Sequence, residues 1–246
     1  MSFEKLKEMV ASSDNIVFFG GAGVSTESGI PDFRTENGIY RTKNNYSYPP
    51  EVMLSHSFFM QHTEDFYDFY KAKMIYTAAK PNAAHLALAE LEKRGKLKAV
   101  ITQNIDSLHQ QAGSKNVIEL HGSVQRNYCM KCKKSFDLDY VMNSNQTVPV
   151  CDSCGGIVKP DVVLYEEELD SKAISSAVKY ISNADVLIIG GTSLVVYPAA
   201  GLVQYYRGNK LVLINKSPTS YDSKANLVIN DSIGKVLGGI LDQMPL

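Results

Sequence analysis

Four cysteines are the residues of this 246-residue chain whose spacing most narrowly limits their chemistry. Cys129 and Cys132 form one Cys-x2-Cys pair, and after 18 intervening residues Cys151 and Cys154 form a second. Each pair makes a tight turn that aims two sulfurs at one point, which is the arrangement of a four-thiolate zinc site. Two disulfides or a redox pair are the competing readings, and a cytoplasmic location argues against the disulfides. Four protein ligands leave no open coordination position, so the expected zinc is structural and no thiol remains as a nucleophile.

A second set of residues has chemistry only as a group. Gly21-Ala22-Gly23, Gln103-Asn104-Ile105-Asp106, His121, Gly191-Thr192-Ser193, Asn215 and Asn230-Asp231 each close or follow a short apolar run. Glycines after a strand let backbone approach a pyrophosphate, and the helix expected to open there would offer its N–H groups to it. The pattern departs from the dinucleotide fingerprint, because Thr26 stands where its third glycine would be. The loop Ser28 to Arg34 carries Asp32, Phe33 and Arg34 in a row. It reads either as a surface turn with a salt bridge or as an aromatic and a cation placed over a captured nucleotide. His121 becomes a general-base candidate because amides, a carboxylate and a phosphate-binding loop share its edge. His56, His62 and His85 have no ligand-type neighbours in sequence and read as structural.

The elements that must position these groups follow from hydropathy. Six short runs, 15–21, 99–103, 117–121, 186–190, 210–215 and 226–230, are almost continuously apolar. That pattern suits strands buried on both faces of a parallel sheet. Helical patterns occupy 81–94, 171–182 and 199–206. The fold class expected is α/β, a Rossmann-like doubly wound parallel sheet with a smaller zinc-binding and helical module inserted. Residues 1–29, 81–125 and 159–246 would make the nucleotide-binding domain, 30–80 an inserted loop and helical module, and 126–158 a zinc ribbon. In an open sheet of this kind ligands bind beyond the carboxyl ends of the strands, where the polar residues above collect.

Composition excludes several functions. Lys plus Arg is 25 and Asp plus Glu is 26, a net charge of −1. No global basic field exists for nucleic acid or an anionic membrane, although Arg126, Lys131, Lys133 and Lys134 crowd the first cysteine pair. No apolar run reaches the ~18 residues of a membrane helix. The charged, amphipathic N-terminus lacks a signal peptide's apolar stretch. A monomer in the cytoplasm, with no nucleic-acid or membrane partner, is expected.

The motifs GAGVSTESGIPDFR (21–34), TQNID (102–106), ELHG (119–122), the two cysteine pairs, GTSLVVYP (191–198), LIN (213–215) and ND (230–231) together resemble the sirtuin family of NAD-dependent protein lysine deacylases, in its bacterial form. The resemblance runs in family order over essentially the whole chain. It implies that Gly21, Ala22, Gly23 and Thr26 lie near the NAD pyrophosphate, with Phe33 and Arg34 over the ribose and nicotinamide end. Gln103, Asn104, Ile105 and Asp106 would line the nicotinamide pocket, and Gly191, Thr192 and Ser193 would hold phosphate and ribose oxygens. Asn215 would bind the adenine ribose, with Asp231 and Ile233 near the adenine. His121 would be the general base, with Asn104 stabilising cationic character at the sugar.

The implied reaction transfers the acyl group of an acyl-lysine peptide to NAD, giving nicotinamide, O-acetyl-ADP-ribose and free lysine. The peptide would add as a strand between Val163-Leu164-Tyr165 and the segment holding Val195 and Val196. Two departures from the family pattern matter. The family usually has Phe-Gly-Glu where this chain has Tyr165-Glu166-Glu167, which suggests an acidic run favouring basic peptides. Members that remove acidic acyl groups carry Tyr-x-x-Arg where Tyr70 here follows Tyr67, so acetyl or another neutral acyl group is expected. Mono-ADP-ribosyl transfer, a non-catalytic NAD or ADP-ribose module and a zinc-ribbon nucleic-acid binder are the alternatives.

Overall fold

The apolar runs become one sheet because each is too short and too uniformly apolar to face water on either side. In the computed structural model, residues 2–35, 38–40 and 46–243 are described, so 36, 37 and 41–45 of the expected 30–80 insertion lie outside the described residues. The chain opens with helix α1 (Ser2–Ala11) and strand β1 (Ile16–Gly20), then crosses a small helical region of α2 (Pro50–Met53), α3 (His56–Gln61) and α4 (Thr63–Lys73). Helix α5 (Ala83–Lys93), β2 (Leu97–Thr102), α6 (Leu108–Gln111) and β3 (Val117–Glu119) return to the sheet. An excursion follows through β4 (Gly122–Cys129), β5 (Ser135–Asp137), α7 (Leu138–Met142) and β6 (Val158–Val162). The chain ends with α8 (Ser171–Asn183), β7 (Val186–Gly190), β8 (Leu211–Ile214), β9 (Leu227–Ile229) and α9 (Ile233–Asp242).

All six expected strands pair in parallel in the order β3-β2-β1-β7-β8-β9. One face packs on α1, α5 and α9 through residues such as Leu6, Leu88 and Leu237. The other packs on α8 and the 199–205 turn through Ile181, Ala200 and Val203. Every residue of β1, β7 and β8 is buried, which explains why no alternation was present in the sequence. A separate aromatic core, with Phe58, Phe59, Phe66, Tyr67, Phe69 and Tyr70, joins the helical region to the small sheet β5-β4-β6.

Some expectations shift. The 81–94 helix starts at Ala83, because Asn82 caps it: Asn82 Oδ1 accepts from Ala84 N, and His85 Nδ1 accepts from Asn82 N. The 199–206 segment is a 3-10 helix over Ala199–Tyr205, not an α-helix. No α-helix opens at the Gly21 loop either. Two 3-10 turns, Ala22–Val24 and Thr26–Ser28, follow β1, and Gly29 at φ 81° ends them. The small antiparallel sheet reaches from Gly122 to Val162, so edges at 126 and 158 cut through β4 and the start of β6. Among the described residues, no helix is long and apolar enough to cross a membrane.

Candidate active site

Strand order reverses between β1 and β7, and the crevice of a doubly wound sheet opens at such a switch point. Gly20 and Gly190 are register partners there, so the loops after them emerge side by side. They interlock. Gly21 N donates to Gly190 O, and Gly23 N donates to Gly191 O at 2.8 Å. A Cβ on Gly23 would lie 2.8 Å from Gly191 Cα, and Gly191 itself sits at φ +59° against Val24 N. The glycines are therefore spent first on loop-to-loop contact. The helix N-terminus expected beside them is replaced by the two 3-10 turns.

A cavity of about 930 Å³ opens over this junction. It brings together every residue assigned above to NAD, from Gly21 to Ile233, and also Val163, Leu164, Tyr165 and Val196. Val195 is the exception: it lies outside the lining and is 54% exposed, because the chain turns at Leu194 (φ 55°) and directs it outward.

On the sheet side of the cavity the polar groups form a closed network. Asn104 is buried, and its Nδ2 donates to Ser25 Oγ at 3.0 Å. Ser25 Oγ donates in turn to Asp106 Oδ2 at 2.6 Å, and Asp106 Oδ1 accepts from Leu108 N. Burial pushes the Asp106 carboxyl up, and these two donors oppose the shift. Gln103 Nε2 donates to Thr192 Oγ1 at 3.2 Å, tying the β2 loop to the β7 loop. Thr26 Oγ1 donates to Gly23 O, which holds the first loop's own curl. Ser25 is a site residue that the motif contained but the residue-type argument passed over, since a lone serine carries no signal without its partners.

His121 sits between β3 and β4. Its Nδ1 lies 2.9 Å from Gln103 O. A carbonyl only accepts, so Nδ1 carries the proton and Nε2 keeps a lone pair. Burial lowers the imidazole pKa, partly offset by that carbonyl, which leaves the ring neutral near pH 7. The backbone is pinned too. Val163 N donates to His121 O, and a Cβ on Gly122 (φ +75°) would lie 2.0 Å from Asp161 O. Glycine is required there for β6 to pass beside the histidine.

The cofactor loop is turned by Asp32, whose Oδ1 accepts from both Arg34 N and Thr35 N. Of the two readings of this loop, the turn is present, held by backbone N–H donors to Asp32. The Arg34 guanidinium lies 5.6 Å from the Tyr40 ring centroid, and Phe33 packs on the same ring. At the far end Asn215 Nδ2 donates to Ser217 O, Asp231 pairs with Lys235, and Ile233 is buried at the start of α9.

The peptide side is built from loops. In the run Glu166-Glu167-Glu168, expected to favour basic peptides, two carboxylates are engaged within the protein. Glu166 binds Ser57, and Glu167 binds His56 Nδ1, Leu164 N and the buried Lys159. His56 thereby has an acidic partner that local sequence could not show. Backbone groups of Leu164 and Tyr165 are already used: Leu164 with Glu167, Tyr165 with Leu54 and His56. The cationic knuckle is likewise compensated, with Arg126 on Glu119 and Asp161 and Lys134 on Asp152. Tyr70 lines the cavity with a fully buried hydroxyl that has no partner among the described residues.

The four cysteines converge as expected. Their sulfurs lie within 4.8 Å of one another, with Cys129–Cys154 at 3.5 Å and Cys132–Cys151 at 3.6 Å. Tetrahedral Zn–S bonds of about 2.3 Å set sulfurs about 3.8 Å apart. The donor set fits a structural zinc, remote from His121 at the opposite end of β4.

Comparison with known proteins agrees with this geometry. The Sir2 family model matches residues 21–198. The NAD-dependent protein deacetylase of Clostridium tetani is 72% identical over 241 residues, covering 98% of both chains. A solved Sir2 chain with deacetylated peptide and 3′-O-acetyl-ADP-ribose superposes with a TM-score of 0.91 at 40% identity, covering 99% of this chain and 98% of that one. A Sir2 chain with peptide and NAD superposes at 0.86, also at 40% identity and the same coverage.

Proposed function

The chain belongs to the Sir2 family, and from that premise we propose how its own residues carry out the reaction. It is an NAD-dependent protein-lysine deacetylase, with nicotinamide, O-acetyl-ADP-ribose and free lysine as products. The observation that carries the reading is the meeting, in one cavity, of a neutral, part-buried His121 with the interlocked Gly23–Gly191 junction and the Asn104–Ser25–Asp106 network. When bound, NAD supplies an electrophilic sugar carbon with nicotinamide as leaving group.

The protein's part is orientation and proton transfer. His121 Nε2 accepts a proton from the ribose hydroxyls, and the Gln103 carbonyl holds the ring in the tautomer that permits it. Asn104 presents its amide to the sugar, fixed by Ser25, in a pocket whose burial strengthens each dipole. Phe33 and Arg34 cover the nicotinamide end, Thr192 and Ser193 hold phosphate and ribose oxygens, and Asn215, Asp231 and Ile233 receive the adenosine. Cys129, Cys132, Cys151 and Cys154 hold zinc, which braces the small sheet. The acyl-lysine peptide adds between residues 163–168 and 193–197. Since Leu164 and Tyr165 have spent their backbone groups, its pairing edge starts at Glu166. The apolar wall carries Tyr70 at the position where an acidic acyl tail would need an arginine, which suits a neutral acyl chain.

The six-stranded sheet and its flanking helices serve as the NAD-binding domain, with 30–80 and the small-sheet excursion 122–162 as its inserts. We further propose a cytoplasmic monomer that acts on acetylated proteins and takes no nucleic acid, supported by the net charge of −1. The deciding experiment follows nicotinamide release from NAD with an acetyl-lysine peptide, a succinyl-lysine peptide and none. Release that requires the acetyl peptide, and is at least tenfold slower with the succinyl one, is the expected outcome. Peptide-independent release, or a peptide that gains ADP-ribose, would overturn the assignment.

A further inference from the structure

Glu166 occupies φ +76°, a left-handed conformation in which a residue with a Cβ is strained and glycine is the default. Its carboxylate makes two contacts that a glycine could not. Oε2 accepts from Ser57 N at 2.8 Å, and Oε1 accepts from Ser57 Oγ at 3.0 Å. The neighbouring residues are fastened to the same short stretch. Tyr165 N donates to Leu54 O, His56 N donates to Tyr165 O, and Glu167 Oε1 meets His56 Nδ1 at 2.8 Å. Five hydrogen bonds thus join 165–167 to 54–57, about 110 residues away in the chain.

The anchor itself is solid. Helix α3 is held by Phe58 and Phe59 in the aromatic core, and Ser55 caps it by accepting from Phe58 N. The backbone N–H and C=O of Glu166 have no partner among the described residues. The first unpaired edge of the loop is therefore the very residue whose side chain is tied down.

We propose that Glu166 is a positioning residue for the acyl-lysine peptide: its carboxylate clasps the 165–168 loop to Ser57 and presents the loop's unpaired backbone as a fixed edge. The inference rests on the deacetylase reading above and on the groove in which it seats the peptide. A loop ordered beforehand spares the peptide the entropic cost of ordering it, so the clasp acts on peptide affinity and not on the chemical step. The contacts to Ser57 face solvent, which limits the effect to about three- to tenfold.

The test compares wild type with Glu166→Ala, Glu166→Gly, Glu166→Gln and Ser57→Ala, using the full chain, NAD and an acetyl-lysine peptide. Alanine loses both contacts and should raise peptide KM about three- to tenfold, with kcat and the KM for NAD within about twofold. Glycine relaxes the backbone yet loses the clasp, so peptide KM rises although the melting temperature does not fall. Glutamine still offers an acceptor to Ser57 and should recover part of the loss. Ser57→Ala removes one contact without touching the strained residue, and should raise peptide KM about twofold. Anisotropy of a labelled peptide without NAD should give the same order. Unchanged peptide KM in the alanine and glycine variants, with an active wild type, overturns this inference alone, as does an equal change in peptide KM, NAD KM and kcat. A wild type whose nicotinamide release ignores peptide overturns the deacetylase reading and this inference with it.

Discussion

The two sides of the cavity are built by different means. The nucleotide side stands on the carboxyl ends of buried parallel strands, and its polar groups are satisfied by one another within the protein: Asn104 on Ser25, Ser25 on Asp106, His121 on Gln103, Gln103 on Thr192. The side proposed for the peptide hangs from loops, and one exposed and one part-buried carboxylate with a few backbone bonds fasten it to a separate aromatic core. A buried network fixes atoms to fractions of an ångström and fails badly when one member is lost, because the rest become unpaired. A solvent-facing clasp is cheaper to alter and grades affinity. In the proposed reaction the chemistry is invariant from peptide to peptide and rests on the first kind of structure. The contact that must accept many sequences sits on the second.

Substitutions should separate the two sides by size of effect. The largest falls on His121. His121→Ala should lower peptide-dependent nicotinamide turnover by about 10²–10⁴-fold, the usual contribution of a general base. NAD binding, measured by calorimetry, should stay within a few-fold of wild type. Near-wild-type turnover would remove the histidine from the mechanism.

Next is Ser25→Ala, which leaves Asn104 Nδ2 and Asp106 Oδ2 without their shared partner. An unpaired buried polar group costs about 1–3 kcal/mol. The expected loss is about ten- to hundredfold in kcat/KM, with the melting temperature falling as well. A change smaller than that of Ser57→Ala would erase the contrast between the two sides.

The last effect is read by acid. Beneath the network, His109 of α6 packs 4.7 Å from His85 of α5 and 6.1 Å from Phe18 of β1, measured between ring centroids. Burial holds the two imidazoles down to about 3 and about 4. The unfolded chain takes up protons near pH 6.5, whereas the folded chain refuses them until far lower. Their contribution is therefore fully present at pH 7 and is lost progressively as pH falls below about 6.5. Replacing one imidazole should flatten this slope: in His109→Phe, the drop in unfolding free energy between pH 7 and pH 5 should shrink by about 2 kcal/mol. Denaturant titrations at both pH values measure it, and identical slopes would place the pair outside the acid response.

Legibility in the sequence divides along the same line. The six strands were readable because burial on both faces leaves an apolar run without alternation. The cysteines were readable because a tetrahedral ion dictates spacing. The residues of the nucleotide side were readable because they close those strands. What could not be read was long-range pairing. Glu166 and Glu167 look like a solvated acidic run until the fold sets Ser57, His56 and Lys159 against them. His109 drew no attention, since nothing nearby in sequence announces that its ring will meet His85. The Gly21 loop looked like a helix start, and became 3-10 turns because the Gly191 loop fills the space beside it. Val195 was placed in the groove by its motif, and the turn at Leu194 sends it outward.

The strand order also sets a timetable. Ile16 of β1 pairs with Val186 of β7, 170 residues further along the chain. At about 5–20 residues per second, a ribosome takes roughly 10–30 s to deliver that partner. Throughout that interval one edge of an entirely apolar strand stays open, and the Gly21 loop has no Gly191 to close against. The pocket that does the chemistry is thus among the last parts of the nascent protein to exist, and the cell must shelter its central strand until then.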